Sequence, residues 1–276
     1  MQLTHAQWLA SAETLAQECR DEWDLELDDP YEAGAAGYVV GARLPEGTRA
    51  VLKLIFPHHE SEHEAAALEL WDGDGAVRLL AHDRERWAML LERCEPGTKL
   101  CEAVDAETAL EVVIDLLPRL WKAAGPPFRS LADEAAWWLS YLPRQWEESG
   151  RRVERRLLEE AVSAIEELAP TQGEQVLVNQ DLHAENVLAA EREPWLAIDP
   201  KPLVGEREFA LASLVRASEL GHGRREVLRR LDRLTSELGL DRERARRWTI
   251  AQTLAWAYDS EWDEPHLEVV RWLVDA

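Results

Sequence analysis

The stretch LVNQDLHAENVLAAEREPWLAIDP, residues 177–200, decides how this chain is read. It places Asp181, Asn186 and Asp199 beside short apolar runs in a sequence whose surroundings are patterned as helix. "LVNQ" and "WLAID" have strand character, and each of the three polar residues stands where a chain turns. Taken singly, Asp181 and Asn186 are turn or cap residues, and Asp199 before Pro200 begins another turn. Taken in order, they are two carboxylates and one amide held close in sequence, a set of oxygen donors suited to a hard cation.

The composition bounds what such a set can serve. With 276 residues and 46% hydrophobic content, the chain fills one large domain or two lobes around a genuine core. Against 54 Asp plus Glu stand 31 Lys plus Arg, a net charge of −23 that repels phosphate backbones and excludes nucleic acid as a partner. The arginine clusters "RRVERR" (151–156) and "RREVLRR" (224–230) interleave with apolar residues and read as solvated helix faces. No window approaches the roughly 18 uncharged apolar residues of a membrane span, and "MQLTHAQWLA" lacks a secretory pattern. No membrane partner and a cytoplasmic location are therefore expected. Cys19, Cys94 and Cys101 are odd in number and lack zinc-like spacing, so reduced thiols are expected.

Two textures divide the chain near "ERCEPGTKL". Residues 4–23 predict a helix, with Trp8, Leu9, Ala12, Leu15, Ala16 and Cys19 on one face. From 24 to 93 the runs "YVVGAR", "RAVLKLIF", "AVRLLAHD" and "WAMLLER" predict short strands, interrupted by a helix over 59–71. After Pro96-Gly97 the spacing predicts helices over 105–124, 131–148, 151–168, 208–220, 224–238, 242–258 and 265–275. The opening stretch is the one strand-like island among them. The expected architecture is α+β: a small antiparallel-sheet N-terminal lobe, residues 1–95, and a larger, mostly helical C-terminal lobe, residues 96–276.

That layout is the one used by protein-kinase-like phosphotransferases, and particular residues fit it. Lys53 is a lone charge in "VLKLIF", and Glu64 follows eleven positions later on the next helix. A buried lysine requires a partner, whereas a lysine on an edge strand would simply reach water. Gly34 and Gly37 in "EAGAAGYVV" offer a turn whose backbone amides can approach phosphate oxygens, although glycines at that density more often mark a hairpin turn and the stricter pattern of three spaced glycines is absent. The order D-L-x-x-x-N from Asp181 to Asn186 matches a phosphoryl-transfer loop, in which the Asp faces the acceptor alcohol and the Asn binds a metal ion.

Stretches along most of the chain, "VLKLIFPHHESEHEAAALELWDGDGAVRLLAHD", "LLERCEPGT", "DLHAENVL" and above all "WLAIDPKPLVGE", resemble the aminoglycoside phosphotransferase family, in particular its streptomycin 6-kinase and hydroxyurea phosphotransferase branch. The resemblance implies a kinase-like two-lobe fold, ATP or GTP with Mg²⁺, and transfer of the γ-phosphate to a hydroxyl of a small cationic acceptor such as an aminoglycoside. By position, Lys53 would hold phosphates, Glu64 would pair with it, Asp181 would be the base, and Asn186 and Asp199 would hold Mg²⁺. Three departures stand out: Asn179-Gln180 where the branch has His-Gly, Glu185 where it has Gly, and Ala210 where it has an Asp. They keep two alternatives open, a nucleotide-binding protein with weak or no transfer and a kinase of a cellular metabolite.

Other motifs compete for attention. "HESEH" (59–63) satisfies the zinc-protease pattern H-E-x-x-H, but it follows Pro57 at a helix start and has no evident third ligand. "WDGDG" (71–75) has the flavour of a calcium loop without its ligand spacing, and reads as a turn. Asp259, Glu261, Asp263, Glu264 and Glu268 form an acidic patch able to draw in a cationic acceptor or to favour a helix start. Trp137-Trp138 or Trp256 can wall a pocket or fill a core.

Overall fold

The alternating runs of the first hundred residues pair into one sheet. In the computed structural model, which describes residues 5–31, 37–258 and 263–276, helix α1 (His5–Glu22) leads into strands β1 (Glu26–Pro30), β2 (Gly37–Arg43) and β3 (Arg49–Ile55). Helix α2 (Glu64–Trp71) precedes β4 (Leu79–Asp83) and β5 (Ala88–Glu92). The strand order is β1-β2-β3-β5-β4, antiparallel at every step. Val40, Leu52, Leu54 and Leu90 on the sheet pack with Trp8, Ala12, Ala16 and Cys19 of α1, so the three- and four-residue spacing of α1 does become core. β1 was not legible as a strand, because ELDDP is acidic, nearly all exposed, and held chiefly by its pairing to β2.

The helix expected over 59–71 begins five residues late, at Glu64. Residues 58–64 instead close successive turns, Ser61 N–H donating to the His58 carbonyl and Glu64 N–H to that of Ser61. At the other end Asp72 turns left-handed (φ 46°) and its N–H donates to the Leu68 carbonyl, so "WDGDG" is the cap of α2.

In the second half, α3 (Leu100–Ala103), α4 (Ala106–Leu120), α5 (Leu131–Glu148) and α6 (Arg155–Leu168) precede β6 (Gln175–Asn179). Side-chain caps start α4 and α5: Asp105 accepts from Glu107 and Thr108, and Ser130 accepts from Asp133. The hairpin β7 (Val187–Ala189) and β8 (Trp195–Ala197) follows, then β9 (Pro202–Glu206), α7 (Ala212–Arg216), α8 (Arg224–Leu238), α9 (Arg242–Ala257) and α10 (Asp263–Val274). The segment Leu188–Ile198 groups with Met1–Thr98, and the remainder, Lys99–Val187 with Asp199–Ala276, forms a second compact unit. In the first unit Arg192 ties the hairpin down by donating to Glu92 at 2.8 Å and to the carbonyls of Gly73 and Ala76.

β9 is a strand that the expectation of one strand-like island missed. It pairs antiparallel with β6 from Gln175↔Glu206 to Asn179↔Pro202. Glu206, 1% exposed, closes it onto α9 by accepting from Arg244, Trp248 and the Gly173 N–H. The helix expected over 208–220 is broken into a 3-10 turn at Arg207–Leu211, the five-residue α7 and a second 3-10 turn at Ser218–Leu220. The chain leaves the helix at Ala217 (φ −57°, ψ 109°), and the Val215 carbonyl, which a continuous helix would have bonded to residue 219, accepts instead from the guanidinium of Arg230, buried in α8, which also donates to the carbonyls of Leu220 and Gly221. α9 is buried almost all round, which marks it as the centre of the second unit. Among the described residues no helix is long and apolar enough to cross a membrane.

Candidate active site

Lys53 lies at the middle of the sheet, on β3 between Val39 of β2 and Met89 of β5, which removes the edge-strand alternative. Its ammonium donates to Glu64 Oε1 at 2.6 Å, with 11% and 3% of the two side chains exposed. Glu64 is the first residue of α2, so strand and helix together fix the pair. Gly37 opens β2, and a Cβ there would sit 2.8 Å from the Leu54 carbonyl and 4.0 Å from Lys53 Cε. Glycine is therefore required by close approach beside the lysine stem. Gly34 lies outside the described residues.

In the second unit the loop after β6 is held from beneath. Asn179 is 3% exposed, and its Oδ1 accepts from the backbone N–H groups of Asp181 and Lys201, both at 3.0 Å. One amide oxygen thus ties the Asp181 loop to the segment following Asp199. Gln180 is 1% exposed; its carbonyl accepts from Gln252 Nε2 at 3.0 Å, while its own side-chain amide has no hydrogen-bond partner among the described residues. Ser213 donates to the Leu182 carbonyl at 2.7 Å. Where the resembling family has an Asp, Ala210 is fully buried, and Asn179, Gln252 and Ser213 supply the bracing of the loop.

Asn186 closes a 3-10 turn, Ala184–Asn186, and its Nδ2 donates to the Asp181 carbonyl at 3.1 Å. That bond turns Asn186 Oδ1 outward as an acceptor. Asp199 is exposed and left-handed (φ 54°), a conformation tolerated by Asp and placed where the chain bends into Pro200. Asn186 and Asp199 offer only oxygen, which fits Mg²⁺ and not a thiolate- or imidazole-seeking metal.

Asp181 has company that its sequence neighbours do not foretell. Lys201 Nζ stands 2.9 Å from Oδ2, and a guanidinium nitrogen of Arg216 stands 3.6 Å from Oδ1. Both cations lie over the Trp256 ring, at 4.7 and 4.3 Å from its centre. Arg216 is 8% exposed and its other arm donates to Gln252. His183 approaches Asp181 at 4.0 Å and Glu219 at 3.6 Å. Burial works against the imidazolium, yet Glu219 and Asp181 hold His183 above the ordinary histidine range. His266 behaves oppositely: burial, aided by Arg216, pushes it down to about 4.

The remaining candidates separate. His59 sits in the turns before α2 and His63 immediately precedes its first residue, so "HESEH" is not carried on a helix and lacks the zinc-protease geometry. Glu264 pairs with Arg271 at 2.7 Å and Glu268 with His222 at 2.8 Å, which engages part of the acidic patch internally. Asp259 and Glu261 lie outside the described residues, as does the side chain of Asp263. Trp138 is core, and Trp137 stacks on Tyr141 at the surface. Cys19, Cys94 and Cys101 are free, and burial pushes Cys94 up to about 12, so it is an inert thiol.

The central-strand lysine paired to a helix glutamate in the first unit, and the braced Asp-x-x-x-x-Asn loop in the second, are features of the protein-kinase-like class of phosphotransferases. The solved choline kinase LicA from Streptococcus pneumoniae has the same fold, with a TM-score of 0.68 at 17% identity, covering 96% of this chain and 99% of that one. Residues 22–261 match the model of the aminoglycoside/hydroxyurea antibiotic resistance kinase family, and the chain belongs to that family. It is 42% identical over 253 residues to the streptomycin 6-kinase of Streptomyces griseus, covering 90% of this chain and 82% of the relative. It is 43% identical over 244 residues to the hydroxyurea phosphotransferase of Kitasatospora aureofaciens, covering 85% and 68%.

Proposed function

We propose that this kinase moves the γ-phosphate of ATP or GTP to a hydroxyl of a small cationic antibiotic of the streptomycin type, in the cytoplasm. The observation that carries this reading is Asp181, presented on a loop braced by Asn179 and anchored by Asn186. Asp181 orients the acceptor hydroxyl and takes its proton as the oxygen forms its bond to phosphorus. Lys53, held by Glu64, binds nucleotide phosphates, and Gly37 leaves the backbone beside it uncrowded. Asn186 and Asp199 would hold Mg²⁺, which when bound neutralises phosphate charge and orients the transferring group. The names of the relatives support streptomycin as first acceptor.

The test is nucleotide turnover with Mg²⁺ against streptomycin, other aminoglycosides, hydroxyurea and sugar alcohols, with product identified by mass. A phosphorylated aminoglycoside is expected. The orphaned Gln180 amide and Ala210 favour a second reading, a nucleotide-binding protein with little transfer. Nucleotide binding without phosphorylation of any acceptor would select it. A product formed from a sugar alcohol alone would point instead to a metabolite kinase.

A further inference from the structure

Asp181 poses a problem for its own proposed role. A carboxylate takes a proton from an alcohol less readily with cations against both of its oxygens, and here Lys201 stands 2.9 Å from Oδ2 and a guanidinium nitrogen of Arg216 3.6 Å from Oδ1. The two cations differ in freedom. Arg216 is buried, lies 4.3 Å above Trp256, and is bonded to Gln252, which in turn holds the Gln180 carbonyl of the same loop. It is a fixed part of the frame. Lys201 has a fixed backbone, through its N–H on Asn179, but a flexible four-carbon stem and a side chain 28% exposed. Its ammonium lies 4.7 Å from the Trp256 ring centre, on a face that attracts a cation over a range of positions. It also follows the candidate metal ligand Asp199 by two residues.

We propose that Lys201 is a catalytic cation: it swings off Asp181 along the face of Trp256 to meet the phosphoryl group in transfer, freeing the base as it does so, while Arg216 stays to fix the carboxylate. The inference rests on the phosphotransferase reading and deepens it. In the step, the acceptor hydroxyl gives its proton to Asp181 as its oxygen bonds to the γ-phosphorus. The bond from that phosphorus to the bridging oxygen breaks, and the electron pair leaves with the nucleoside diphosphate. Lys201 neither gains nor loses a proton; it neutralises charge spread over the equatorial oxygens.

Lys201→Met is the deciding variant, compared with Lys201→Arg and wild type. The first readout is affinity for ADP with Mg²⁺, measured with and without tetrafluoroaluminate as a mimic of the transferring phosphoryl. Wild type is expected to bind at least about tenfold more tightly with the mimic, and Lys201→Met is expected to lose that gain while its ADP affinity and melting temperature stay unchanged. Lys201→Arg, which keeps the charge, should retain part of the gain. The second readout is kcat with the best acceptor, expected to fall about a hundredfold in Lys201→Met with both KM values within about threefold of wild type. Retention of the gain by Lys201→Met, or its absence in wild type, overturns the proposal. So does a raised acceptor KM at unchanged kcat, which would assign Lys201 only to holding Asp181 in place. Failure of wild type to phosphorylate any acceptor is a separate result that sinks the functional reading, and the binding comparison does not depend on it.

Discussion

Two carboxylates of this molecule meet cations in different ways. Glu64 faces one ammonium, Lys53, at 2.6 Å, and both are locked by regular structure, a central strand and the first turn of a helix. Asp181 sits in a loop with Lys201, Arg216 and His183 around it, drawn from three separate segments. The first pair is a permanent fixture whose value lies in not moving. The second group is a set of alternatives, in which one partner can be exchanged for another at little cost because others remain. Burial sharpens the contrast, with Glu64 at 3% exposure and the Asp181 side chain at 16%.

The largest expected effect falls on the loop site. Asp181→Ala should lower transfer by about a thousandfold or more and leave nucleotide affinity nearly intact, measured by turnover and by calorimetry, because the base acts on the acceptor. Full activity in that variant would remove Asp181 from its role. Next comes the fixed pair. Lys53→Met leaves a carboxylate buried without its ammonium and should cost about 3–5 kcal/mol of stability in urea, much of it regained in Lys53→Met/Glu64→Leu. Equal stability of the single and double variants would show that the pair is not a locked unit.

A smaller loss is expected from the brace. Asn179→Ala strands two backbone N–H groups in the interior and should cost about 2 kcal/mol, with a lowered kcat, since the loop and the segment after Asp199 lose their common anchor. The smallest effect concerns acidity. His266 is held near 4 in the folded chain against an ordinary value of about 6.5, so the unfolded chain binds more protons between those values. Stability is therefore complete above about pH 6.5 and falls as pH drops towards 4. His266→Phe should flatten that part of the pH–stability curve, and an unchanged slope would refute the assignment.

What the sequence disclosed follows from the same contrast. Lys53 and Glu64 were legible because a strand and a helix impose a spacing, and eleven residues is what one strand end, one turn and one helix start require. Asp181 and Asn186 were legible because both stand on one short loop, where order alone sets geometry. Lys201 and Arg216 were not, and Trp256 was marked only as a pocket wall or core residue, since all three converge on Asp181 from positions 20, 35 and 75 residues further on, and no local pattern records that meeting. The fold divides likewise. α5 and α8 begin and end where periodicity put them, whereas the helix expected over 208–220 is interrupted at Ala217, where the Val215 carbonyl goes to the distant guanidinium of Arg230. β1 and β9 escaped notice because each owes its existence more to its partner strand than to its own alternation.

The hairpin carrying Arg192 has a consequence for how the protein is made. Glu92 is synthesised 100 residues before the arginine that clamps it, and Ala76 longer still before the strand that bridges it. While α4, α5 and α6 are emerging from the ribosome, the first unit is short of its last two strands, with the carbonyls of Gly73 and Ala76 still awaiting their donor. Folding of the N-terminal portion on the nascent chain thus stays incomplete until residue 198 has left the exit tunnel. A pause in translation before that point leaves the segment Gly73–Ala76 without the hairpin that clamps it, and one after it does not.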